Sequence, residues 1–167
     1  MEGPHDKELE RLLSWARARI AKRGACWLIT EAEENGTHAR IVVPIPGAAD
    51  DGDWVVWILV RKGSRKAREI VLNNRVTIAG YEPSDLSYLA LTGNAALIDE
   101  RAALRKRWRD EWTIHFPGGA EDPNATFARI DVDGIELCAP GLSREPYGSH
   151  YTALTRGGAG AWTVTSR

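Results

Sequence analysis

The stretch Trp54–Val76, WVVWILVRKGSRKAREIVLNNRV, changes its periodicity twice. Its first seven residues, Trp54–Val60, are apolar throughout, which predicts a strand covered on both faces. Gly63 then permits a sharp turn, and Ser64 is a natural helix N-cap. Ala67, Ile70 and Val71 predict the buried stripe of a short helix that ends at Asn73 and Asn74. The run RVTIAGY then begins a further strand.

Working outward, Asp6–Ala21 carries Leu9, Leu12, Leu13, Ala16 and Ile20 on one helical stripe, and Gly24 ends it. Strands are predicted at Cys26–Ala32 and Thr37–Ile45, joined by Asn35-Gly36, a strong hairpin signal because both residues tolerate positive φ. RVTIAGY and SYLALTGNAALI read as two strands around the turn EPSD. Asp99 is the expected cap of a helix over Glu100–Glu111. TFARIDV and GIELCA are expected to form a last hairpin across Asp133-Gly134, and AWTVT could add a strand. Most connections are hairpins, with no βαβ alternation, so the neighbours are antiparallel. The expected architecture is mainly β: a closed or partly closed barrel with helices at its rim. Residues 1–140 make up this domain, and 141–167 form a Gly-rich tail that packs on the barrel or on a partner chain.

The composition is that of an ordinary globular chain: 167 residues, 43% hydrophobic and 27% charged. A net charge of −1 argues against a dedicated nucleic-acid binder. No apolar run approaches membrane-spanning length, and the charged N-terminus lacks a signal segment, so a cytoplasmic location without a membrane partner is expected. Cys26 and Cys138 read as small core residues with no metal-ligand spacing. His5, His38, His115 and His150 show no ligand spacing either, and His38 reads as a surface residue. Seven Trp against four Tyr and two Phe favour an interface or a planar ligand.

Against this neutral background Arg61, Lys62, Arg65, Lys66 and Arg68 stand out. At a helix N-terminus, free N–H groups, the Ser64 hydroxyl, Arg65 and Lys66 would together favour a phosphate. A purely structural helix would place acids there, since cations oppose the dipole. Two readings stand: an anion seat, or a solvated basic loop. Arg40 is the second candidate. Alternation puts Arg40 and Val42 on one strand face and Ile41 and Val43 on the other. An Arg in an apolar strand needs a partner, either an acid of this chain or a ligand.

The order of GTHARIV, WVVWILV, SRKAREI, NNRV, YLALTGNAALID and FPGGAEDP resembles the pyridoxamine 5′-phosphate oxidase-like FMN-binding split barrels, in particular their general stress protein branch. The resemblance runs from about Leu9 to Ala139. It implies a six-stranded antiparallel Greek-key split barrel, a homodimer, and FMN at the subunit interface. It assigns Arg40, Ser64, Arg65 and Lys66 to the phosphate, and the backbone at Ile41, Val42, Leu59 and Val60 to the flavin ring. Trp108 or Trp112 would cover the flavin from the partner chain. Three positions depart from the pattern. Val60 lacks a hydroxyl that relatives offer the flavin, Ile45 replaces a basic residue of true oxidases, and an aromatic is missing near Leu137–Cys138. The implied function is that of a flavin-dependent oxidoreductase of unassigned substrate and unassigned catalytic residues. The alternatives are a non-catalytic binder of flavin, deazaflavin or haem, or a cofactor-free module that uses its basic loop.

Overall fold

The computed structural model describes residues 4–22, 24–32, 36–143 and 150–166. Asn35 of the expected Asn-Gly turn lies outside them, as do residues 144–149 of the tail. Helix α1 spans Pro4–Ala21. Strands β1 (Cys26–Glu31), β2 (Thr37–Val42), β3 (Ile45–Pro46) and β4 (Val55–Arg61) follow. Next come α2 (Arg65–Leu72), β5 (Arg75–Tyr81), β6 (Tyr88–Ile98), α3 (Arg101–Arg107), β7 (Ala125–Cys138), β8 (Thr152–Arg156) and β9 (Trp162–Ser166).

Among the described residues nine strands join one sheet, seven along the path β2-β1-β5-β6-β7-β4-β3 with β8 and β9 added beside β7, and every described pairing is antiparallel. The two ends of this path, β2 and β3, are separated in sequence by Val43 and Pro44 alone. Three steps of extended chain reach at most ~10 Å. Seven strands laid flat at ~4.8 Å spacing would hold the same ends roughly 29 Å apart. The sheet must therefore curl until its edges approach. It does not close, because β2 and β3 do not pair with each other. The expected mainly β, antiparallel architecture with flanking helices holds, while the expected count of six strands becomes nine in an open sheet.

The run predicted to be covered on both faces is so covered. Val56, Ile58 and Val60 of β4 enter the main core with Leu12, Leu28, Ile78 and Ile130. Val55 and Trp57 face a second cluster with Leu104, Phe116 and Phe127. The period of two along a strand splits one apolar run between two cores.

Two sequence expectations fail for a common reason. Asp133-Gly134 is no hairpin. β7 runs through it as one strand of 14 residues, and Asp133 is the extra residue of a bulge opposite Thr92 and Gly93. β6 pairs with β7 from Tyr88–Cys138 to Ile98–Phe127, and this long ladder outweighs a local turn signal. Gly93 makes the bulge feasible, because a Cβ there would lie 2.3 Å from the Asp131 carbonyl oxygen. Likewise α3 covers Arg101–Arg107, capped by Glu100 rather than Asp99. Asp99 instead pairs with Lys62 at 3.0 Å. Trp108 leaves the helix in an extended conformation, and Asp110–Ile114 forms a separate 3-10 turn. Trp108 and Trp112 are held by packing on each other and on the second core (ring centroids 5.7 Å apart).

Beyond Gly141, β8 pairs with the C-terminal half of β7, from Gly134 to Leu137, and β9 pairs with β8. The N-terminal half of β7 pairs with β4 on that same side. One strand thus serves two neighbours in succession.

Candidate functional site

The basic segment folds as its local chemistry dictates. Gly63 has φ +69, the left-handed conformation that the turn out of β4 demands. Ser64 caps α2, its hydroxyl accepting from the Ala67 N–H at 3.4 Å. The first turn of α2 leaves N–H groups with no intrahelical partner, beside the Arg65 and Lys66 side chains. Arg68 turns away and donates to the Gly63 carbonyl at 2.6 Å. Arg61 donates to the His115 carbonyl and lies 4.7 Å over the Phe116 ring. Of the clustered cations, Arg65 and Lys66 therefore remain as the two carried by the first turn of α2.

The buried face of α2 departs from expectation. Ala67 and Ile70 are buried, but Val71 is 72% exposed and Glu69 takes the inward position in its place. A buried carboxylate needs donors, and it finds them on the adjoining strands. Thr30 of β1 donates to Glu69 Oε2 at 2.5 Å. Arg40 of β2 donates through Nη2 to the same oxygen at 2.7 Å and through Nη1 to the Thr30 hydroxyl at 2.5 Å. His38 Nδ1 meets Oε1 at 2.5 Å, and Arg65 Nε stands 3.7 Å from that oxygen. Burial alone would raise the Glu69 pKa. The hydrogen bonds from Thr30, His38 and Arg40 outweigh it and bring the pKa down to about 2.

This network resolves two readings. The alternation of β2 does place His38, Arg40 and Val42 on one face, with Ile41 outside at 54% exposure. Of the partners open to Arg40, an acid of this chain is present. His38 is not a free surface residue but a member of the same cluster. Glu69 and Thr30 escaped the sequence reading, and His38 entered it only as a surface residue. The available signal was Glu69 four residues after Arg65, a spacing that brings two side chains together on a helix.

Lys66 is different. Its ammonium is half-buried and has no hydrogen bond or ion pair among the described residues. Burial first, and then the positive charge of Arg40, push its pKa down. It is an uncompensated cation at the mouth of the cluster. Val42 and Val60 turn their side chains into the core, at 6% and 1% exposure, and Leu59 packs on the second cluster. Trp108 belongs to that second cluster, with Trp112 and Phe116 as its ring neighbours, and not to the Arg40–Glu69 network.

The open antiparallel split barrel is a fold that known structures share. A solved protein from Clostridium acetobutylicum, related to general stress protein 26 of Bacillus subtilis, superposes with a TM-score of 0.69 at 17% identity, over 78% of this chain and 90% of that one. A pyridoxamine 5′-phosphate oxidase-related, FMN-binding protein from Nostoc punctiforme gives 0.68 at 17% identity, over 99% and 97%. The general stress FMN/FAD-binding protein of Xanthomonas citri gives 0.65 at 20% identity, over 83% and 94%. At such identities these likenesses establish the fold. No curated protein sequence matches. A family profile described as pyridoxamine 5′-phosphate oxidase like matches residues 15–138, well over half of the chain. The chain belongs to the pyridoxamine 5′-phosphate oxidase-like family.

Proposed function

We propose that this protein binds FMN, with the phosphate seated on Lys66, Arg65 and the Ser64-capped start of α2. The observation that carries the reading is Lys66: a half-buried ammonium without an acid partner, beside a second cation and a helix N-terminus. Each feature attracts an anion, and together they leave positive charge that the chain itself does not neutralise. Arg40, whose charge acts on Lys66, would add to the grip. The backbone at Ile41, Val42, Leu59 and Val60 would flank the ring. FMN and FMN/FAD binding are properties named for the Nostoc and Xanthomonas proteins, and they agree with this chemistry.

Bound flavin would supply two-electron redox chemistry, which makes an oxidoreductase of general-stress type the best-supported activity. The chain's part is to hold the phosphate and orient the ring. We also assign a homodimer. Trp27 and Ile41 are cross-strand neighbours on the outer face of β1 and β2, 46% and 54% exposed, and Val43 extends the strip. An exposed apolar strip on a sheet face suits a second copy, whose Trp108 would then be available to the flavin. No described helix is long and apolar enough to cross a membrane, and two cysteines outside any disulfide suit a reducing cytoplasm.

The test is a visible absorbance scan after incubation with FMN and desalting. A retained flavin band is expected, and Lys66→Ala should weaken FMN binding by about 10–100-fold, the worth of one charge-assisted hydrogen bond. Equal retention by Lys66→Ala would remove the phosphate seat from α2. Light scattering should give twice the monomer mass.

A further inference from the structure

The basic seat contains its own anion. Both terminal nitrogens of Arg40 are occupied, Nη1 by Thr30 and Nη2 by Glu69. While both bonds stand, a ligand phosphate cannot take a paired grip on the Nη1–Nη2 edge of Arg40, and Glu69 already neutralises the charge that would draw it there. We propose that Glu69 competes with the ligand's phosphate for Arg40, and that a proton on His38 decides the competition. This rests on the phosphate reading above and deepens it.

The argument follows the charges. If Arg40 turns to a phosphate, Glu69 stays behind with its side chain 5% exposed, keeping Thr30 and His38. A buried carboxylate without a cation is strongly disfavoured. Arg65 cannot replace Arg40 well, since it lies 3.7 Å away and is 59% exposed. His38 can. Its Nδ1 already touches Oε1, and protonation makes it the missing cation without any movement. The other groups around His38 are accounted for. α2 presents Glu69, Arg65 and Lys66, and β2 presents Arg40. From β1 come uncharged Thr30, its cross-strand partner, and Glu31, which bonds Asn73. None of these supplies Glu69 with an equivalent cation. Glu69 is thus a specificity-determining residue: it makes the seat yield to a strongly charged phosphate and resist weaker anions.

The experiment is a fluorescence titration with FMN, and with riboflavin as the probe that lacks the phosphate, from pH 8 to pH 6. The phosphate loses its second charge near pH 6, which opposes the effect sought. The quantity read is therefore the ratio of wild-type to His38→Gln affinity for FMN at each pH. That ratio should rise about tenfold from pH 8 to pH 6. Glu69→Gln should bind FMN about tenfold tighter than wild type at pH 8, one charge-assisted bond at the low end of its range. Riboflavin should respond to neither change. The proposal is overturned if wild type holds FMN while the ratio stays flat, or if Glu69→Gln binds no tighter. Should Glu69→Gln fail to fold, the His38→Gln ratio alone decides. If wild type binds riboflavin as well as FMN, or neither, the proposal falls together with the phosphate reading, an outcome distinct from a flat ratio.

Discussion

Helices α1 and α2 approach opposite ends of β1 in different chemistries. Helix α1 buries Leu12, Leu13 and Ala16 in the main core, and at the Cys26 end its last turn borders a cavity of about 350 Å³ walled by Ile20, Ile78, Leu89 and Leu91, with Arg19, Lys22 and Glu82 also in its lining. At the Thr30 end, α2 buries Ala67 and Ile70 but also Glu69, inside a closed set of hydrogen bonds. Apolar burial has no direction, so the first end tolerates imperfect filling. Hydrogen bonds do have direction, so the second end depends on every partner being in place. The basic cluster lies at the second end and the cavity at the first. The larger space and the richer chemistry are not at one address.

Mutations can break this contrast. The largest effect is expected from Leu12→Ala, which removes a side chain 1% exposed at the apolar end. It should cost about 2–5 kcal/mol in urea unfolding and leave FMN affinity unchanged. A loss of FMN affinity would mean that the two ends communicate. Next, Thr30→Val should cost about 1–3 kcal/mol, because it takes a donor from Glu69 and an acceptor from Arg40. Thr30→Ser should recover most of it, which a purely steric role for the methyl group would not permit.

Acid sharpens the contrast further. The Glu69 pKa in the fold is about 2, below its ordinary 4.5, so folding favours the ionised form. The stability it contributes is complete above pH 4.5 and drains away as the pH falls toward 2. A denaturation series across that window should slope less steeply for Glu69→Gln than for wild type, the slope that remains belonging to the other lowered carboxylates such as Asp99 and Asp122, while Leu12→Ala should keep the wild-type slope. The smallest effect belongs to neither end. Arg75 and Asp133 form a paired but exposed bridge at 2.6 and 2.7 Å. Arg75→Ala should cost roughly 0.2–1 kcal/mol, less in high salt.

Much of this molecule is legible in the chain. Trp54–Val60 announces a strand between two cores, Ser64 announces the start of α2, and the alternation of Thr37–Val42 puts His38 and Arg40 on one face. These signals act over a few residues, through dihedral preference, capping and period, and no distant partner is needed to read them. Other features are not local. Asp133-Gly134 has the composition of a turn, yet β6 pairs straight past it. Val71 was the expected inward residue of α2. The helix instead turns Glu69 inward, because Thr30, His38 and Arg40 stand there to receive it from 39, 31 and 29 residues away. The sequence by itself determined an antiparallel β protein with a cation cluster at a helix start. Only the tertiary structure decided that a buried acid sits beneath those cations, because the donors that make such a burial tolerable come from strands that the fold must first bring together.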